Sequence, residues 1–237
     1  MAVTRRYRLM RWLVRPCVGF LFRVRADGLD RWPAPPFLLA ANHHSGWDPI
    51  LVIAVTPERP RITWFGPREA DFGRGLKNRV MAFFGGVIPY NPEKTTLVSA
   101  VRAVRRVFDA DGLLGIFAEG RVGFRENELL PFEEGAVAFA SASGVPIVPC
   151  AIVGSSAMFF RRRVVIRFGE PIGTTELRGA VGRAELERQV RAAIEAMLPA
   201  VEPPAPRVQP LAWIGDVLDG DADRQARARD RAQRGRK

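Results

Sequence analysis

The chain has 237 residues, 47% of them hydrophobic, enough apolar material for one sizeable core and a better match to one large domain than to two small ones. Its formal net charge of +11 points to an anionic partner, and the placement of that charge narrows the choice. Residues 1–31 carry eight arginines against Asp27 and Asp30, a net of +6, whereas the tail from residue 202 sets seven arginines and Lys237 against six acids and nets only +2. With no recognisable nucleic-acid motif and no interleaved aromatic platform, nucleic acid is excluded as the expected partner.

Cys17 and Cys150 lie far apart in apolar surroundings, which predicts buried free thiols in a reducing, cytoplasmic compartment. The apolar run at 16–22 is too short to span a bilayer, and Arg11 and Arg15 interrupt the segment before it. No small-residue cleavage site follows, so neither a signal peptide nor a transmembrane helix is expected.

Along the chain, residues 5–22 set Tyr7, Met10, Val14, Cys17, Val18 and Leu21 at helical spacing, with Arg8, Arg11 and Arg15 in the same rhythm on another face. This pattern suits a basic helix lying in the headgroups of an anionic membrane, and equally a first helix packed on the core; Pro16 should kink or divide it. Short apolar runs follow at 37–41, 62–65, 87–89, 113–117, 147–153 and 164–168. Helical patterns lie near 49–55, 75–84, 95–110, 134–142 and 183–198. Such alternation predicts an α/β domain, a mainly parallel central sheet flanked by helices. The expected organisation is an amphipathic membrane-associating helix at 1–22, the main domain at 23–200, and a Pro-rich linker with a flexible tail at 201–237. Within that tail, 211–218 (LAWIGDVL) is an apolar island suited to docking back on the domain.

Two constellations carry chemistry. In the first, the strand at 37–41 leads into Asn42-His43-His44-Ser45-Gly46-Trp47-Asp48-Pro49. Neutral imidazole is the side chain best suited to take a proton from an alcohol near pH 7, and a carboxylate on its other ring nitrogen would fix the tautomer. His43 and Asp48 supply that pair, although Asp before Pro is also a helix N-cap pattern. In the second, the strand at 113–117 leads into Ala118-Glu119-Gly120-Arg121. If both strands are parallel members of one sheet, His43 and Glu119-Gly120-Arg121 emerge at the same carboxyl edge, where open α/β sheets bind ligands. Arg121 offers phosphate a planar fork of donors, and Glu119 can accept from substrate hydroxyls or orient the arginine. Arg68, Lys77 and Arg79 add positive potential nearby in sequence, and the prolines of 144–150 shape the entry to a buried strand.

The order His43-(four residues)-Asp48, then Gly85-Gly86-Val87-Ile88, then Phe117-Ala118-Glu119-Gly120-Arg121, then Val145-Pro146-Ile147-Val148-Pro149 resembles the glycerol-3-phosphate and lysophosphatidic acid acyltransferase family over roughly residues 20–175. That resemblance implies His43 as general base, Asp48 as its partner, and Glu119, Gly120 and Arg121 with Arg68 and Asn91 in the acceptor and phosphate site. It implies an acyl-CoA or acyl-carrier protein donor, a lysophospholipid acceptor, no metal and no further cofactor, and peripheral attachment to the cytoplasmic face of a membrane. Three departures stand out. Ala118 replaces the family's usual Pro and Arg121 comes one position early; Asn91 stands where an Arg is common; and the hydrophobic N-terminal anchor is reduced to the Arg-rich helix. The second departure leaves room for a glycolipid acceptor, and the first two together for a non-catalytic, membrane-binding member of the fold.

Overall fold

The structure, a computed structural model, describes residues 3–66, 86–88, 90, 97–177, 179–201 and 208–219. Strands β1 (Arg23–Asp27), β2 (Phe37–Ala41), β3 (Ile62–Phe65), β4 (Val87–Ile88), β5 (Leu113–Phe117), β6 (Ile147–Val153) and β7 (Arg163–Phe168) form a sheet in the order β1-β7-β6-β2-β5-β3-β4. From β6 to β4 every neighbouring pair is parallel; β7 runs antiparallel to β6, and β1 is parallel to β7. The predicted strands at 37–41, 62–65, 113–117 and 147–153 have the boundaries observed. Strand β1 was not expected, because RVRAD has no apolar run; pairing with β7 at the sheet edge makes it a strand.

Helices α1 (Arg5–Leu21), α2 (Asp48–Val55), α3 (Leu97–Asp109), α4 (Gly135–Ser143) and α5 (Gly179–Glu195) cover the sheet. The predicted helix at 75–84 lies outside the described residues. Because side chains alternate along a strand, each face of the sheet collects its own core. Phe37, Leu39 and Ala41 of β2 join Tyr7 and Val18 of α1 and Leu51 and Val52 of α2; Leu38 and Ala40 join Val104 of α3, Val137 of α4 and Leu186 of α5. Both faces of β2 are therefore buried, which is why it reads as an unbroken apolar run.

Helix α1 decides between the two readings the sequence offers for it, is not divided at Pro16, and corrects the placement of Arg11. It is one continuous helix with Pro16 inside. Tyr7, Met10, Val14, Val18 and Leu21 pack on the core, so the face offered as a membrane contact is internal. Arg11, expected on the basic face, is buried, and its guanidinium donates to the carbonyls of Ile53 and Thr56, the latter at 2.7 Å. A cation over the last carbonyls of α2 is the favourable end of the helix dipole. Cys17, predicted buried, is exposed, while Cys150 is buried as expected; burial, reinforced by the negative charge of Asp48, pushes the Cys150 thiol far up.

Gly115 of β5 is where the sheet admits the Trp64 ring. A Cβ there would lie 2.7 Å from Trp64 Cε3. Gly115→Ala should therefore destabilise the protein by about 1–3 kcal/mol, the scale of overpacking a filled core. Urea unfolding measures it, and an unchanged midpoint would mean that the Trp64 ring can yield.

Candidate active site

Strands β2 and β5 are parallel neighbours with Ala41 opposite Phe117. His43 and Glu119 each follow their strand by two residues, so both leave the sheet at one edge, as the sequence requires. The His43 amide donates to Glu119 Oε1 at 2.8 Å, and its carbonyl accepts from the Gly123 amide at 2.7 Å, which pins the two loops together.

His43 Nδ1 lies 2.8 Å from Asp48 Oδ2. That oxygen also accepts the amides of His44 at 2.7 Å and Ser45 at 2.9 Å. The simple N-cap reading of Asp48 is thereby corrected: Trp47 holds the cap position of α2 without a side-chain cap, and Asp48 begins the helix with its carboxylate turned back onto the preceding loop. Burial alone would push this carboxyl up. The hydrogen bond and charge of His43, then the charge of His44 and the hydroxyl of Ser155, outweigh burial and hold it below the usual range. An ionised carboxylate only accepts, so Nδ1 carries a hydrogen, and in the neutral ring it is Nε2 that holds the lone pair.

The imidazole plane is set by a stack that sequence reasoning missed. The His43 ring lies 3.9 Å from the Phe117 ring at 12°, and Phe117 lies 4.7 Å from the Trp64 ring at 9°. The His43 side chain keeps 17% of its surface exposed, whereas that of Asp48 is fully buried. His44 is also fully buried and faces the other way, with Nδ1 3.4 Å from Asn42 Nδ2 and 3.6 Å from Glu126 Oε2. Asn42 holds this turn by accepting the Ile152 amide at 2.7 Å and donating to the Ile152 carbonyl at 3.0 Å, extending the β2–β6 pairing past the strand end.

The other predicted residues divide. Glu119 is 99% buried, and both its oxygens are engaged by backbone, Oε1 by His43 and Oε2 by Leu130 at 2.8 Å. Burial pushes its carboxyl up, and the two amides pull against that. Its observed work is to hold the His43 loop, not to orient Arg121. Gly120 and Arg121 are exposed in the turn that follows β5. Arg68 and Asn91 lie outside the described residues, as do Lys77 and Arg79. Glu126, which no sequence signal marked, is buried and accepts the amides of Gly154 at 2.7 Å and Ser156 at 2.9 Å.

Because the folded state holds the Asp48 carboxyl below its ordinary value near 3.9, its contribution to stability is full above about pH 4 and is lost as pH falls through the lowered value. Asp48→Asn should lower stability at pH 7 by about 1–3 kcal/mol, and the gap to the wild type should narrow on acidification. Thermal unfolding from pH 7 to pH 3 checks this, and a constant gap would count against an ionised Asp48.

Residues 23–153 match the family model Acyltransferase. The chain is 28% identical to a 1-acyl-sn-glycerol-3-phosphate acyltransferase of Helicobacter pylori, over 60% of this chain and 59% of that protein. It is 26% identical to the Bacillus subtilis protein of the same name, over 63% of this chain and 73% of the relative. Identity to the human 1-acyl-sn-glycerol-3-phosphate acyltransferase beta is 29%, over 71% and 63%. The match thus spans about three fifths of the length of the Helicobacter relative. The crystal structure of the 1-acyl-sn-glycerophosphate (LPA) acyltransferase PlsC from Thermotoga maritima superposes with a TM-score of 0.64 at 18% identity, covering 81% of this chain and 77% of that one, and so has the same fold. With the family model matching more than half of its length, this chain belongs to the acyltransferase family.

Proposed function

We propose that the protein transfers a fatty acyl group from a thioester, acyl-CoA or acyl-carrier protein, to the hydroxyl of 1-acylglycerol-3-phosphate or a related lysophospholipid. The observation that carries this reading is the His43–Asp48 pair at an exposed sheet edge, with Nε2 as the ring nitrogen turned from the carboxylate. Names of the relatives support the acceptor class. In the proposed step, Nε2 takes the acceptor hydroxyl proton as the oxygen attacks the thioester carbonyl. The tetrahedral oxyanion then collapses, the carbon–sulfur bond breaks, and the proton passes from the imidazolium to the departing thiolate. Asp48 and the Phe117 face both favour the transient cation. Arg121, exposed at the same edge, is the proposed phosphate ligand, with Arg68 and Asn91 completing the acceptor site. No metal or additional cofactor is needed.

Attachment to a membrane surface belongs to the same proposal, through the outer face of α1. Leu9, Trp12, Leu13 and Phe20 are exposed at spacings of three, four and seven, with Arg5, Arg6, Arg8 and Arg15 also exposed. Among the described residues no helix is long and apolar enough to cross a membrane. A half-inserted apolar stripe flanked by arginine suits an anionic headgroup layer.

His43→Ala should lower turnover by about 10²- to 10⁴-fold with folding intact, the usual scale for loss of a general base. The assay offers labelled acyl-CoA and acyl-carrier protein with glycerol phosphate, lysophospholipid and glycolipid acceptors; an active His43→Ala protein, or a wild type inactive with every pair, would remove the assignment. Replacing Leu13 and Phe20 by Asp should weaken binding to anionic vesicles at least about tenfold while leaving the fold, since each apolar side chain inserted contributes about 1.5–3 kcal/mol. Vesicle co-sedimentation reads this, and undiminished binding would assign the stripe another role.

A further inference from the structure

The tail beyond the family match returns to the candidate active site. After the Pro-rich stretch, the Pro210 carbonyl accepts the Phe160 amide at 2.8 Å, and a short 3-10 helix (Ala212–Val217) buries Ile214 in the core beside α1 and α2. The Ile214 carbonyl accepts the Trp47 indole N–H at 2.8 Å. Asp219, 5% exposed, accepts the Gly46 amide at 2.7 Å and the Ser45 hydroxyl at 3.3 Å, both through Oδ1. The fit leaves no space: a Cβ on Gly46 would lie 2.0 Å from the Leu218 carbonyl oxygen.

Four consecutive amides of the loop therefore end on carboxylates. His43 donates to Glu119, His44 and Ser45 to Asp48, and Gly46 to Asp219. Only Asp48 is local. The turn between His43 and Asp48 is thus closed from outside, and its Gly46 amide is held by a residue 173 positions away. We infer that Asp219 is a positioning residue for the His43–Asp48 pair, delivered by residues 208–219 acting as a strap over the catalytic loop. The inference rests on the proposed function only for its kinetic consequence. A half-buried amide deprived of its acceptor repacks or takes up water, and the loop that sets the imidazole moves with it.

Asp219→Ala should lower kcat about ten- to hundredfold, the scale of a displacement of about 1 Å at a reacting group, with KM for both substrates nearly unchanged. Asp219→Asn keeps an Oδ1 acceptor and should restore most of the rate. A second readout needs no activity. The chain has two histidines, His43 partly exposed and His44 buried, so diethylpyrocarbonate should modify one quickly in the wild type and both in Asp219→Ala. Gly46→Ala, which keeps the Asp219 side chain but pushes the Leu218–Asp219 peptide away from the loop, should reproduce both effects if Asp219→Ala does not fold. A folded Asp219→Ala or Gly46→Ala protein with wild-type kcat and a single reactive histidine overturns the inference. A wild type that transfers no acyl group would remove the proposed reaction, while the histidine count would still decide on the strap.

Discussion

The arrangement at the sheet edge depends on the Asp48 carboxylate being buried and still ionised. A fully buried carboxylate is costly unless its acceptor sites are filled. Here the loop that precedes it serves one of the two oxygens: two amides and the His43 ring nitrogen converge on Oδ2, while Oδ1 meets no hydrogen-bond partner among the described residues. One interaction therefore does three things. It closes the turn from β2 into α2, satisfies backbone that has left the sheet, and selects the tautomer that leaves Nε2 as the proton acceptor.

The sheet supplies the rest of the geometry. Parallel pairing of β2 with β5, Ala41 against Phe117, brings Glu119 under the His43 amide and Phe117 against its ring. Parallel pairing of β3 with β5 places Trp64 opposite Gly115, and its ring stacks on Phe117 from the far side. The imidazole is thus fixed in direction by a carboxylate and in plane by an aromatic column. Glu119, buried and doubly occupied by amides, is part of this scaffold. The exposed polar group nearest to it in sequence is Arg121, so this edge of the sheet has a buried support beneath a solvent-facing rim.

Helix α1 shows how one amphipathic segment can have two apolar faces. Its inner stripe fills the core and its Arg11 terminates α2, while its outer stripe of Leu9, Trp12, Leu13 and Phe20 has arginines beside it. Phe160 packs on Phe20 with ring centroids 5.6 Å apart, and the same residue's amide is bonded to Pro210 at the start of the strap. The outer face of α1, the loop at 158–162 and the returning tail are therefore structural neighbours, although they are far apart in sequence.

Strand positions were legible from sequence wherever burial on both faces leaves an unbroken apolar run, as in β2, β5 and β6, because that pattern follows directly from the environment. His43, Asp48 and their meeting with Glu119 were legible too, since a strand followed by polar residues has only one end at which to present them. Helix α1 was legible as a helix, but not which apolar face turns inward: helical spacing is satisfied by Tyr7, Met10 and Val14 and equally by Leu9, Trp12 and Leu13, and only the surface of α2 and β1 chooses. Strand β1 is charged and becomes a strand only through β7. That Glu119 serves backbone, that Phe117 and Trp64 stack on His43, and that Asp219 closes the loop all rest on long-range contacts. Local sequence determined where polar groups leave the sheet; tertiary structure decided which partners they find, because buried amides and carboxylates take the acceptors and donors that folding brings within reach.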